Sequence, residues 1–139
     1  MIEFHTVELD FLVSNQLQLA EWLTVAANNE SYTIGAINLI ICSDEHLLEM
    51  NQQFLNHDYY TDIITFDTSN GSVISGDLYV SIDRVKDNAT ELGFKLTNEL
   101  HRVIVHGLLH LCGYADKTKP EQATMRAKED HYLSLRAFV

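Results

Sequence analysis

The stretch from Thr97 to Cys112 constrains this chain most. It runs Thr-Asn-Glu-Leu-His-Arg-Val-Ile-Val-His-Gly-Leu-Leu-His-Leu-Cys. Thr97 can cap a helix and Gly113 can stop one. Val103, Ile104, Val105, Leu108, Leu109 and Leu111 flank its middle on nearly all sides, so the helix is largely buried. Any fold for this chain has to close around it. His106 and His110 sit inside that apolar segment, and buried imidazoles need polar partners.

The rest of the chain supplies the closure. Ile2–Leu9 reads as a first strand. Asn15–Asn29 carries Leu17, Leu19, Ala20, Leu23 and Ala26/Ala27 at helical spacing. Ile34–Cys42 reads as a buried strand. Ser43 or Asp44 can cap a helix through Leu55. Asp62–Thr68 has a β-branched and aromatic centre and reads as a strand; Leu78–Ile82 is another, entered through Gly76-Asp77. Asp83 can cap a helix ending near Gly93. After the buried helix, Pro120 stands where a first helical residue belongs and opens a last helix to about Phe138. The expected fold is α+β, an α/β-type sandwich. A small mixed four-stranded sheet packs with about five helices, and the site lies on the central C-terminal helix. No linker, repeat or low-complexity tract divides the chain, so residues 1–139 are expected to form one domain.

Composition excludes several classes. Apolar residues make up 46% of the chain, too many for disorder, and no apolar run reaches the length of a membrane span. The N-terminus lacks the basic region of a signal peptide, and Cys42 and Cys112 are two isolated thiols. Both suit a reducing cytoplasm. Net charge is −11. Residues 1–83 hold thirteen acids and no Lys or Arg; residues 84–139 hold nine bases against seven acids. Charge alone therefore gives no reason to propose a nucleic-acid partner.

Histidines four apart lie on one helical face, one turn apart, and both can point at a single ion. Imidazole nitrogens suit zinc and related divalent metals. The chain turns at Gly113, and Asp116 lies close enough beyond it to fold back as a third ligand. Two His and one carboxylate leave a position open for water, which metal-assisted hydrolysis needs. The spacing also admits two hydrogen-bonded core histidines. Glu99 shares the face of His106, where it either orients a ligand or complements charge at the helix start. His101 falls on the opposite face, and Cys112 reads as core. Gly107 stands where metalloproteases of the H-E-x-x-H type carry their glutamate, which disfavours a peptidase.

The segment His106-Gly-Leu-Leu-His110-Leu-Cys-Gly-Tyr114 resembles the signature of the YbeY family, H-G-x-L-H-L-x-G-Y-D-H. The likeness extends to Leu55-Asn56, Thr61-Asp62-Ile63-Ile64-Thr65-Phe66, Gly76-Asp77-Leu78-Tyr79-Val80-Ser81, Glu99-Leu100, Met125 and Glu129. It implies a zinc-dependent, single-strand-specific endoribonuclease acting in ribosomal RNA maturation and ribosome quality control. The implied ligands are His106, His110 and, at the family's third histidine, Asp116, with no catalytic residue separate from them. The implied partners are single-stranded or ribosomal RNA and the ribosome or its proteins, not DNA or membrane. A ribosome-associated assembly factor with a structural metal is the alternative. Two departures matter. An anionic third ligand makes bound water a weaker acid and shifts metal preference. The loop His57-Asp58-Tyr59-Tyr60 lacks the arginine many members carry there. That leaves Arg84, Lys86, Arg102, Lys117 and Lys119 as candidates for phosphate, and His57, Tyr59 and Tyr60 for base contacts.

Overall fold

A computed structural model describes residues 1–56 and 61–139. The chain order is β1 (Ile2–Thr6), α1 (Gln16–Asn29), β2 (Thr33–Cys42), α2 (Asp44–Leu55), β3 (Ile63–Asp67), β4 (Val73–Ser81), α3 (Ile82–Leu92), α4 (Leu96–Leu111) and α5 (Lys119–Ser134). The sheet order is β1-β2-β4-β3. β1, β2 and β4 run parallel, and β3 pairs antiparallel to β4 at one edge. This is the expected α+β fold.

Alternation along the strands divides the core. Ile37, Leu39 and Ile41 of β2 and Leu78 and Val80 of β4 join the main cluster with α1, α3, α4 and α5. Cys42, Ile64 and Tyr79 belong to a smaller cluster with Leu47 and Met50 of α2. α4 lies at the centre of the larger cluster, and Val103, Ile104, Val105, Leu108, Leu109 and Leu111 are all buried. Each such side chain stabilises the fold by about 1.5–3 kcal/mol through burial. Gly107 lets α4 approach the sheet. A Cβ there would stand 2.7 Å from Ile63 Cδ1 and 3.2 Å from Leu78 Cδ1.

Several boundaries differ from the sequence expectation, for local reasons. β1 stops at Thr6, before Leu9, where Glu8 takes a positive φ. β4 begins at Val73, not Leu78, because Val73 and Ile74 already pair with Thr33 and Ile34 of β2. Ser81, not Asp83, caps α3 through Arg84 N–H; Asp83 instead accepts from Asp44 N–H at the start of α2. α4 begins at Leu96, with Lys95 at the cap in place of Thr97. α5 ends at Ser134 because the chain leaves the helix to bring Phe138 against Trp22 and His101.

His101, as expected, faces away from the metal candidates. It is 2% exposed, between Trp22 and Phe138. Arg136 donates to its Nδ1 at 2.8 Å, which fixes the neutral ring because a guanidinium only donates. Burial and then the Arg136 charge push its pKa down from 6.5 to about 4. The native state therefore holds the neutral form. Its contribution is complete above about pH 6.5 and is lost as pH falls toward 4, worth at most about 3 kcal/mol. Urea unfolding from pH 7 to 4.5 should show wild type losing more stability than His101→Phe; equal losses would refute this role.

Candidate metal centre

The end of α4 builds the site. Cys112 closes the helix, and Gly113 takes φ 99°. Gly113 N–H then reaches His110 O and Tyr114 N–H reaches Leu109 O, the reversed turn of a Schellman cap. That turn sends the Tyr114 carbonyl back to His110 Nδ1 at 2.8 Å. Two residues later Asp116 arrives beside both rings. A capping box of Thr118 and Glu121, with Pro120 between them, then starts α5 at once.

α5 returns along α4 and delivers Glu129. Its Oε2 lies 2.7 Å from His106 Nδ1 and its Oε1 3.0 Å from Arg102. Arg102 also holds Asp130 at 2.7 Å. A second network fixes the turn from behind. Glu30, at the end of α1, accepts from the Tyr114 hydroxyl at 2.5 Å, from the Tyr132 hydroxyl, and from Lys128 at 3.1 Å.

These partners determine the tautomers. A carboxylate and a carbonyl only accept, so both histidines carry hydrogen on Nδ1 and turn Nε2 lone pairs inward. The two Nε2 atoms are 3.0 Å apart, and Asp116 Oδ2 is 3.2 Å from one and 3.5 Å from the other. A tetrahedral zinc site with ligand bonds of 2.0–2.1 Å separates its donors by roughly 3.3 Å. Three electron-rich atoms this close repel unless a cation joins them. His106 shows that demand. Burial opposes its charged form, yet the hydrogen bond and charge of Glu129, with Asp116 and Asp62, hold its pKa above the ordinary histidine value. The donors fit a divalent ion, and among the described residues no other His, Cys, Asp or Glu cluster has metal-binding spacing.

Two clefts flank the centre. One, of about 620 Å³, runs along β3 past Asn51, Thr61, Ile63 and Thr65 to His110, Asp116 and Lys117. The other, of about 250 Å³, lies between α4 and α5. Asp62 and His106 line both. Burial pushes the carboxyls of Asp62 and Glu99 above the usual range, Asp62 partly offset by His106 and Glu99 by Arg102.

The site therefore joins His106, His110 and Asp116, as expected from the sequence, and Cys112 is core. Both thiols are buried, which pushes their pKa up to about 12. Glu99 lies in the first turn of α4, where its charge complements the helix start; it is also 5% exposed and lines the smaller cleft. Of the cations considered for phosphate, Arg84 is bonded to Asp44 and Arg102 to Glu129 and Asp130, while Lys117 lines the larger cleft. Base contacts by His57, Tyr59 and Tyr60 fall outside the described residues. Sequence reasoning missed Glu129 as the partner of His106, although Glu129 was among the matching residues. It also missed Asp62 as a wall of both clefts.

Comparison with known proteins gives relatives over nearly the whole chain. The family model described as Endoribonuclease YbeY matches residues 3–136. The Endoribonuclease YbeY of Cytophaga hutchinsonii is 52% identical over 138 residues, covering 99% of this chain and 96% of that protein. The protein of the same name from Flavobacterium psychrophilum is 45% identical over 135 residues, covering 97% and 96%. The solution structure of TM1509 from Thermotoga maritima superposes with a TM-score of 0.66 at 28% identity, covering 96% of this chain and 87% of that one.

Proposed function

The chain belongs to the Endoribonuclease YbeY family, and on that premise we propose that it is a zinc-dependent, single-strand-specific endoribonuclease of ribosomal RNA maturation and ribosome quality control. Residues 1–139 act as one catalytic domain in the cytoplasm, on ribosomal RNA and in association with the ribosome. No helix among the described residues is long and apolar enough to cross a membrane. The observation that carries this reading is the convergence of His106 Nε2, His110 Nε2 and Asp116 Oδ2 within 3.5 Å.

His106, His110 and Asp116 would hold the ion. When bound, it supplies Lewis acidity toward a phosphoryl oxygen and lowers the pKa of water. Glu129 and the Tyr114 carbonyl hold the two rings with their lone pairs inward, so no reorganisation is needed when the site fills. Asp116 brings a negative charge that the two neutral rings do not. Lys117, beside Asp116 in the larger cleft, meets the phosphate backbone of a strand laid along β3. Arg102 pairs with Glu129 and so anchors the carboxylate behind His106.

The phosphate role of Lys117 has its own test. Lys117→Gln should weaken binding to single-stranded RNA and reduce the slope of log affinity against log salt by about 0.7, the share of one phosphate contact. An unchanged slope would move that contact elsewhere. The alternative, a ribosome-associated assembly factor with a structural metal, draws on the absence of Lys and Arg from residues 1–83. Purified protein stripped of metal and assayed on single-stranded RNA separates the two. Endoribonuclease action predicts cleavage restored by zinc in wild type and not in His110→Ala. Ribosome co-sedimentation that survives loss of the ligands, without restored cleavage, favours the assembly factor.

A further inference from the structure

The smaller cleft borders the metal centre through His106, Asp116, Glu129 and Arg102, and the rest of its lining is not used by the metal chemistry. Its walls are Val103 of α4 and Met125 of α5, the latter 2% exposed. Glu99 Oε2 is buried with no hydrogen-bond partner among the described residues, although a buried carboxylate oxygen left unpaired is costly. Asp62 lines the cleft as well, and His106 and Asp116 in the same lining open it directly onto the metal centre. Gln122 and Arg126 line it too and bring N–H donors. A volume of about 250 Å³ is below the roughly 300–1,000 Å³ of clefts that take drug-sized ligands, so it suits one heterocycle better than a whole nucleotide. Glu99 and Asp62 do not join the metal-spaced cluster, so the cleft is no preformed second ion site.

We propose that this cleft is a nucleobase pocket in which Glu99 reads the hydrogen-bond donors of the base beside the scissile phosphate, and that it prefers guanine. The inference rests on RNA being the substrate. Guanine presents two adjacent donors, N1–H and the 2-amino group, which match the two oxygens of a carboxylate. Its O6 acceptor suits the donors of Arg126 or Gln122. Uracil offers one N–H flanked by two carbonyls, which the acidic floor repels. Val103 and Met125 provide the flat apolar contact a base needs, the thioether favourably so.

The test is a methyl NMR titration of the full-length, zinc-loaded protein labelled at methionine. Met125 reports the cleft; Met1 and Met50 lie outside it. Guanosine 5′-monophosphate should shift the Met125 methyl and bind about tenfold more tightly than uridine 5′-monophosphate, the discrimination of one two-point base contact. Glu99→Gln, with zinc content unchanged, should remove most of that difference by weakening the guanine nucleotide alone. Equal affinities in wild type, which need no variant to interpret, would overturn the proposal, as would an unmoved Met125. Those results would leave zinc-restored RNA cleavage standing. Conversely, loss of that cleavage would remove the proposed function while the nucleotide ranking still reports on the pocket.

Discussion

Glu129→Ala should weaken zinc binding by about 10–100-fold and destabilise the protein by about 3 kcal/mol. The two effects have separate causes. Glu129 holds His106 Nδ1 at 2.7 Å, and removing a carboxylate that orients a metal-binding imidazole costs about one to two powers of ten in affinity. It also faces Arg102 at 3.0 Å, with both side chains largely buried. Losing one partner of such a pair typically costs about 3–5 kcal/mol; the low end applies because Asp130 still holds the guanidinium. Glu129→Gln separates the two, since the amide oxygen still accepts from His106 while the charge is gone. Zinc titration with urea unfolding on both variants checks this. An alanine variant with wild-type zinc affinity would show that His106 needs no carboxylate behind it.

His110→Ala should abolish zinc-restored RNA cleavage, a loss of roughly a thousandfold or more. A metal contributes several kcal/mol of charge stabilisation to such a reaction, and each 1.36 kcal/mol is a factor of ten. The fold should survive, because the His110 side chain is about a quarter exposed and its loss opens onto the cleft rather than the core. Circular dichroism and steady-state cleavage of single-stranded RNA, measured on one preparation, check both halves. Cleavage at the wild-type rate would place the chemistry elsewhere.

Much of this was legible in the sequence, and the missing parts share a cause. Helical periodicity placed His106 and His110 on one face, and the Gly113 turn brought Asp116 back to them, because both relations are local. Glu129 lies 23 residues beyond His106 and Asp62 lies 44 before it. Only the packing of α5 and the edge position of β3 bring those carboxylates to the rings. Glu99 has the same history. Seven residues from His106, it reads first as a charge near the helix start, and only α5 crossing over it makes a cavity. The strand boundary at Val73 was hidden because Gly76-Asp77 reads as the strand's entry until β2 pairs with Val73 and Ile74 before it. In the sequence Asp83 reads as the cap of α3, but α2 draws Asp83 to its own N-terminus and Ser81 caps α3 instead.

Elemental analysis of purified wild type beside Asp116→Ala tests the central claim most directly, that His106, His110 and Asp116 hold one divalent ion. One equivalent of zinc per wild-type chain, with a clear loss in the variant, is the result expected. Equal metal content in the two proteins, or none in either after zinc reconstitution, would contradict it.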